Sequence, residues 1–287
     1  GYVRRASNQL ILSTDDSSLE KIENDIHQAL QIIDAKDDVY YNLAKMKYSY
    51  LVSGLNNEAK KWSFDGALSD IKQAIAIQDL PIYTQLEGDI HYLKQDYNSA
   101  LASYKKVNES NIRSASTIFT EAKTLEMLET PAEEVLVLMD SCVAQFNKPY
   151  SADAAPYLIE RARVRMEAKQ ARNAVLDYDE CYAALLGNVN DGFYNLRGQA
   201  CLESKQYQRA LDDFTKAIEL NPRELTYYSE LAYVNMRVGR NQEAIDVLKK
   251  SLKINAEYAE GYRLIGVAYL QLKQNAEACE YFSKAKE

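Results

Sequence analysis

The feature that most constrains this chain is a repeat of 34 residues that recurs without insertion from Asp191, Leu225 and Ala259. A repeat at this spacing is the signature of stacked helical hairpins, each of which packs only against its neighbours. In every copy position 4 is aromatic, position 8 is small and position 20 is alanine: Tyr194, Gly198 and Ala210; Tyr228, Ala232 and Ala244; Tyr262, Gly266 and Ala278. We therefore expect an all-α fold of helix-turn-helix hairpins.

Further positions of the repeat identify its type. A large residue follows at position 24 and a small one at position 27: Phe214 and Ala217; Leu248 and Ser251; Phe282 and Ala285. The last copy, Tyr262-x2-Ile265-Gly266-x2-Tyr269 and then Ala278-x3-Phe282, resembles the tetratricopeptide repeat (TPR), with Tyr262 where that family has tryptophan. The resemblance implies a right-handed α-solenoid (superhelix) of about eight helix pairs. It also implies that positions 8 and 20 face each other across the hairpin, while the residue at position 24 fills the space against adjacent helices.

The register extends towards the amino terminus, and we expect a single TPR solenoid over residues 1–287 with its two ends rigidly coupled. Clear repeats cover residues 81–114, 155–190, 191–224, 225–258 and 259–287, and degenerate hairpins cover 1–37, 38–80 and 115–154. An insertion around Gly54 contains the only tryptophan, Trp62. Before it, apolar residues recur at helical spacing: Leu19, Ile22, Ile26, Ala29, Ile32 and Ile33.

In the degenerate hairpin 115–154, the first helix is expected from Ala115 to about Glu129. Thr130 and Pro131 then supply an N-cap and a first-turn proline for the second helix. That helix is expected to end before Asn147.

Charge and hydropathy argue against two classes of partner. The formal net charge is −8, and no basic run exceeds the pairs Arg4-Arg5 and Lys60-Lys61, so nucleic acid is not expected as a partner. No stretch of 18 apolar residues occurs, so membrane insertion is not expected. The chain opens without methionine, which predicts a processed start. The acidic, tyrosine-rich composition is typical of bacterial TPR proteins, and an exported or periplasmic location and a cytoplasmic one both stay open.

The sequence lacks the residue patterns of an enzyme. The two histidines, His27 and His91, lie in different repeats, and no metal, phosphate-loop or nucleophile motif is present. We therefore expect no catalytic residue, no cofactor and no metal site. Acidic groups that include Asp177 and Asp213 are interpreted as solvated helix surface.

The four cysteines do not have the spacing of a disulfide framework or a zinc site. Cys142 and Cys181 fall at the small position 27, which favours a packing role. The alternative is a disulfide between Cys181 and Cys201 of neighbouring repeats.

In TPR proteins, positions 2, 5, 9, 12 and 13 of the first helix face a concave groove. Carried over by register, this implies a set of peptide- or partner-binding candidates: Tyr92, Arg163, Asn195, Gln199, Tyr233, Arg237 and Arg263. Amides and aromatic rings suit an extended peptide, although the same residues could be ordinary solvated positions. Glu230 and Glu260 stand where chaperone-binding TPRs need an amide and a cation, so a peptide with a free terminal carboxylate is not expected to bind.

We thus predict a noncatalytic scaffold that binds a protein or peptide. The alternative is a regulatory or substrate-docking domain of a larger enzyme or assembly complex. Little sequence follows the apolar residues Ala278, Cys279, Phe282 and Ala285, so we expect an exposed ridge that pairs in a homodimer, unless the native chain continues.

Overall fold

The computed structural model describes residues 24–26, 28–32, 34–53, 62–110 and 114–286. Every regular element in these ranges is helical, which confirms the all-α prediction. The chain divides into two compact units, one up to Gln145 and one from Phe146, and each is described by itself. The boundary falls in the hairpin predicted to be degenerate, and the single continuous domain stays a prediction.

The first unit consists of three complete hairpins preceded by helical residues at 24–26 and 28–32. Its helices are α1 (Lys36–Val52), α2 (Phe64–Ile77), α3 (Pro81–Leu93), α4 (Tyr97–Glu109), α5 (Ala115–Met127) and α6 (Ala132–Val143). Trp62, expected within an insertion, is buried against Ile26, Val39 and Met46. Several residues to which the sequence analysis gave a place lie outside the described ranges: Leu19, Ile22, His27, Ile33 and 54–57.

The second unit contains four hairpins after a short 3-10 turn at Ala152–Ala154. Its helices are α7 (Ala155–Glu167), α8 (Ala171–Ala184), α9 (Asp191–Glu203), α10 (Tyr207–Leu220), α11 (Leu225–Arg237), α12 (Asn241–Ile254), α13 (Ala259–Gln271) and α14 (Asn275–Lys284). The predicted helix breaks before Tyr207, Asn241 and Asn275 are confirmed. Each helix packs against its sequence neighbours, and the first helices α9, α11 and α13 also contact one another in succession. They therefore line one face of this unit.

The glycine at position 8 lets an aromatic ring approach the backbone of the first helix. A methyl group added at Gly198 would lie 2.9 Å from the ring of Phe214, which is closer than real contacts allow. The same relation joins Gly88 to Tyr104 and Gly266 to Phe282. In these three repeats the residue at position 24 thus packs on position 8 of its own hairpin, where glycine leaves room for the ring.

The turns inside the hairpins share one backbone conformation. Position 15 adopts positive φ in every hairpin from α3 onward, for example 63° at Lys205 and 80° at Gly239. The next residue then donates its N–H back across the turn, as Gln206 N does to Cys201 O at 2.7 Å. This is the Schellman arrangement, which satisfies carbonyls at the end of the first helix.

The same turn occurs in the hairpin 115–154, where the helix ends differ from the predicted ones. Glu129 has φ 56°, so α5 ends at Met127 instead of continuing to Glu129. Thr130 N bonds to Leu125 O at 3.0 Å within the turn. Pro131, not Thr130, occupies the N-cap position and makes no side-chain capping bond. The proposed Thr130 cap is therefore wrong, because that residue is already used to close the preceding helix.

Two acidic residues predicted to be solvated are buried in ion pairs. Arg161 contacts Asp177 through Nε and Nη2 at 3.1 and 2.5 Å. In the next hairpin Arg197 holds Asp213 in the same way, at 2.9 and 2.6 Å. These pairs join positions 7 and 23, so each one links the two helices of a hairpin. The interpretation as helix surface was wrong because position 23 faces the partner helix.

The expected ridge at the last hairpin is only partly exposed. Ala278 is buried and Phe282 lies on Gly266, whereas Cys279 is exposed. Pairing of two chains through this hairpin stays a prediction.

Candidate partner-binding groove

A concave surface runs across consecutive first helices of the second unit. It encloses a cavity of about 470 Å³. Residues at groove positions of α7, α9, α11 and α13 line it, together with their direct neighbours: Met166, Gln199, Leu202, Glu203, Ser229, Glu230, Tyr233, Glu260, Arg263 and Leu264. The helix repeat thus brings residues far apart in sequence onto one surface, which we call the second-unit groove.

The second-unit groove contains a partly buried carboxylate. Glu230 is partly buried on α11 and accepts a hydrogen bond from Gln199 Nε2 at 3.3 Å. Burial raises the pKa of Glu230, and the negative charge of Glu203 raises it further. Within the described ranges neither carboxylate forms an ion pair with a basic side chain. Two neighbouring carboxylates therefore face the groove without an ion-pair partner among the described residues.

The single arginine of the second-unit groove is already paired. Arg263 donates to Glu260 through Nε and Nη2 at 2.7 and 2.5 Å, and this contact raises the pKa of Arg263. The lining thus holds three carboxylates against one guanidinium. Its field favours a positively charged segment, because clefts lined by one sign of charge attract the opposite sign.

An aromatic ring and apolar side chains supply contact area between these charges. Tyr233 is 42% exposed and lines the cavity, so part of its side chain is accessible to a ligand. Leu202 and Leu264 line the same cavity. A ring that is fixed on a helix offers area at little entropic cost, which suits a ligand with apolar side chains.

The structure places three of the seven candidate residues in the second-unit groove: Gln199, Tyr233 and Arg263. Arg163 lies on α7 and is held by Glu160, at 2.5 Å, and by Glu167. Asn195 has a buried side-chain oxygen that accepts no hydrogen bond from the described residues.

Arg237 and Tyr92 lie elsewhere. Arg237 is exposed at the end of α11, and a hydrogen bond from its guanidinium to Tyr207 raises its pKa. Tyr92 belongs to the first unit and lines a different cavity, of about 370 Å³. The binding role of all seven residues stays a prediction.

Sequence reasoning missed Leu264 and considered Glu230 only as a misfit for a carboxylate-binding site. Both residues occupy position 6, next to the groove position 5, and both line the cavity. The α-helical repeat would have indicated them, because positions 2, 6, 9 and 13 lie near one stripe.

The predicted alternative of a disulfide is excluded by the structure. Cys181 and Cys201 are separate buried thiols, and burial raises the pKa of each to about 11. Cys142 donates its thiol to Ala115 O at 3.1 Å. The described cysteines at position 27 therefore pack against the start of the first helix.

The described ranges contain neither a metal-binding cluster nor a membrane-spanning helix. No group of three histidine, cysteine, aspartate or glutamate side chains is arranged to hold a metal ion. None of the helices in this part of the chain has the length and apolar character needed to cross a membrane.

Comparisons with known proteins agree on one family. The tetratricopeptide repeat profile matches residues 193–224, and a second profile of the same description matches residues 229–287. Hsp70-Hsp90 organizing protein 2 of Arabidopsis thaliana is 31% identical over 238 residues, which cover 81% of this chain and 40% of that protein. The chain spans less than half of the length of the curated relatives it matches.

Solved structures show the same fold at low identity. A tetratricopeptide repeat protein from Parabacteroides merdae aligns with a TM-score of 0.56 at 18% identity, over 86% of this chain and 92% of that one. YrrB, described as a TPR protein with an unusual peptide-binding site, aligns with a TM-score of 0.50 at 19% identity, over 63% of this chain and 90% of that one. Because plant and bacterial proteins both match, a bacterial origin stays a prediction.

Proposed function

Because this chain is a tetratricopeptide repeat protein, we propose that it is a noncatalytic scaffold whose second-unit groove binds an extended segment of a partner protein. The family consists of scaffolds that are generally not enzymes. The observation that carries the proposal is the lining of the groove, where four successive first helices present amide, carboxylate and aromatic groups to one cavity.

The charge of the lining defines the segment further. Glu203 and Glu230 form no ion pair with a described basic side chain, and each raises the negative charge of the lining, so a lysine or arginine of the partner would be attracted to them. A terminal carboxylate would instead meet an excess of negative charge. The proposed ligand is therefore an internal, basic segment. Its backbone would bond to Gln199, and an apolar side chain would pack on Tyr233.

The proposal is tested with a library of random amidated nonapeptides panned against the full chain. The selected peptides should be enriched in lysine and arginine, and their affinity is then measured by fluorescence anisotropy. Tyr233→Ala should weaken binding at least tenfold through lost ring contact, and Glu230→Gln at least threefold through lost charge. Glu243→Gln is the matched control, since Glu243 is exposed on α12, away from the groove lining.

Two results would contradict the proposal. One is a selected peptide that binds wild type and Tyr233→Ala equally. The other is a preference for acidic peptides, or tighter binding of a selected peptide when it is resynthesised with a free terminal carboxylate. Use of the same groove by a regulatory or docking domain of a larger enzyme is a version of this proposal, because it needs the same peptide contacts.

A further inference from the structure

The first unit contains a cavity that differs from the second-unit groove in its lining. It has a volume of about 370 Å³, and half of its lining residues are aromatic, one from each of four helices: Tyr48, Tyr92, Tyr104 and Phe119. Tyr92 is fixed by an edge contact with Tyr97, whose ring centroid is 5.5 Å away. The wall is therefore preformed.

One carboxylate belongs to this cavity, that of Asp89 on α3. Its Oδ1 accepts a hydrogen bond from the Tyr104 hydroxyl at 2.8 Å. Burial raises the pKa of Asp89. Burial also raises the pKa of Tyr41 and of Tyr48, and the negative charge of Asp89 raises both further. The negative charge of Asp89 is therefore close enough to the neighbouring tyrosines to affect the ionisation of their hydroxyl groups.

Two lysines lie near Asp89, and each is engaged elsewhere. Lys123 pairs with Glu126 at 2.5 Å on the rim of the cavity. Lys45 lies over the ring of Tyr41, with its Nζ 5.8 Å from the ring centroid. Among the described residues no basic side chain forms an ion pair with Asp89. This partly buried carboxylate therefore has no counterion there. Such an arrangement costs free energy that a bound cation would recover.

We propose that the Asp89 cavity binds a lysine side chain of a partner protein. The methylene stem would lie along the rings, and the ammonium would reach Asp89 while facing the aromatic π-systems, which attract cations. Lysine is favoured over arginine because Tyr104 already occupies Oδ1, which leaves Oδ2 for a single donor instead of a bidentate guanidinium. The site does not require the second-unit groove to be occupied.

The test is an NMR titration of the full chain with N-acetyl-lysine methylamide. N-acetyl-norleucine methylamide is the probe of similar shape without charge, and the arginine analogue is the third arm. The lysine probe should shift amide signals of α3 and α5 and bind at least fivefold more tightly than the norleucine probe. Asp89→Asn should reduce lysine binding to the norleucine level. Asp65→Asn, which removes the same charge from a side chain that is 76% exposed in the same unit, should leave it unchanged.

Equal binding of the lysine and norleucine probes would overturn the proposal, as would unchanged lysine binding to Asp89→Asn. Tighter binding of the arginine probe would overturn the choice of lysine. Circular dichroism checks that each variant folds. If Asp89→Asn does not fold, Tyr92→Leu is tested instead. Loss of the Tyr92 ring should weaken lysine binding at least threefold. Unchanged affinity would overturn the proposed lysine site.

Discussion

The buried ion pair of Arg197 and Asp213 can be compared with an apolar pair at the same positions of the next repeat. The side chains are 13% and 6% exposed, and two hydrogen bonds join them across the hairpin. Position 7 of the next repeat is Leu231 and position 23 is Val247, so an apolar pair takes the same place there. The hairpin fold thus accommodates either an ion pair or an apolar pair at positions 7 and 23.

Removing one partner should be much worse than removing both. Asp213→Val leaves a buried guanidinium, and breaking such a pair costs about 3–5 kcal/mol. Arg197 keeps a second carboxylate, Asp179 at 3.5 Å, and the ring of Tyr182 at 4.9 Å from its Cζ. These contacts place the expected loss nearer to ~3 kcal/mol. Arg197→Leu leaves a buried carboxylate and should cost a similar amount.

The double variant Arg197→Leu/Asp213→Val copies the apolar pair of the next repeat. Replacement of a buried ion pair by packed apolar residues is often neutral or stabilising, by about 1–4 kcal/mol. We therefore expect the double variant to unfold within ~1 kcal/mol of wild type or to be more stable. The coupling free energy between the two sites should then be about 5 kcal/mol or more, since the two single losses do not add.

Urea unfolding of the full chain, followed by circular dichroism at 222 nm, measures all four proteins. Lys216→Ala is the control, because its pair with Glu219 is exposed to solvent and its loss should leave the urea midpoint almost unchanged. The reasoning fails if Asp213→Val is as stable as wild type. It also fails if the double variant loses the sum of the two single losses.

The remaining predictions concern glycines and thiols. Gly198→Ala should lower the free energy of unfolding by about 1–3 kcal/mol through overpacking against the ring across the hairpin; unchanged urea unfolding would contradict that contact. Gly239→Ala should cost ~1 kcal/mol for its positive φ alone, since no atom lies within 4 Å of the added methyl group, and a more stable variant would refute this cause. Iodoacetamide at pH 8 should alkylate exposed Cys279 in the native protein but Cys181 only after unfolding, because burial raises the pKa of the Cys181 thiol to about 11; mass spectrometry that finds Cys181 labelled first would be the contrary result.

The hairpins could be predicted because their signals are local and repeated. Alanine at position 20 and glycine or alanine at position 8 recur at one spacing, and the helices duly begin at Tyr207, Asn241 and Asn275. The exact contact of position 8 was not predicted. Spacing along a sequence does not say which residue of the facing helix reaches Gly198, and the structure shows that it is Phe214.

The buried ion pairs and the limits of the groove depend on contacts that a one-dimensional pattern does not contain. Asp213 reads as one more charged residue on a helix, because its partner Arg197 is 16 residues away. Arg163 fits the groove register, yet it pairs with carboxylates three and four residues away on its own helix and is not among the residues that line the groove. The repeat register predicts one continuous groove that contains Tyr92 and residues of the second unit, because a register does not reveal where the chain divides into units.

Photo-crosslinking tests the central claim most directly. A basic nonapeptide selected against the full chain is synthesised with benzoyl-phenylalanine at each position in turn, and the crosslinked residues are identified by mass spectrometry. We expect crosslinks on the first helices, at residues that line the second-unit groove: Met166, Leu202, Tyr233 and Leu264. Crosslinks confined to the second helices α10, α12 and α14 would contradict it.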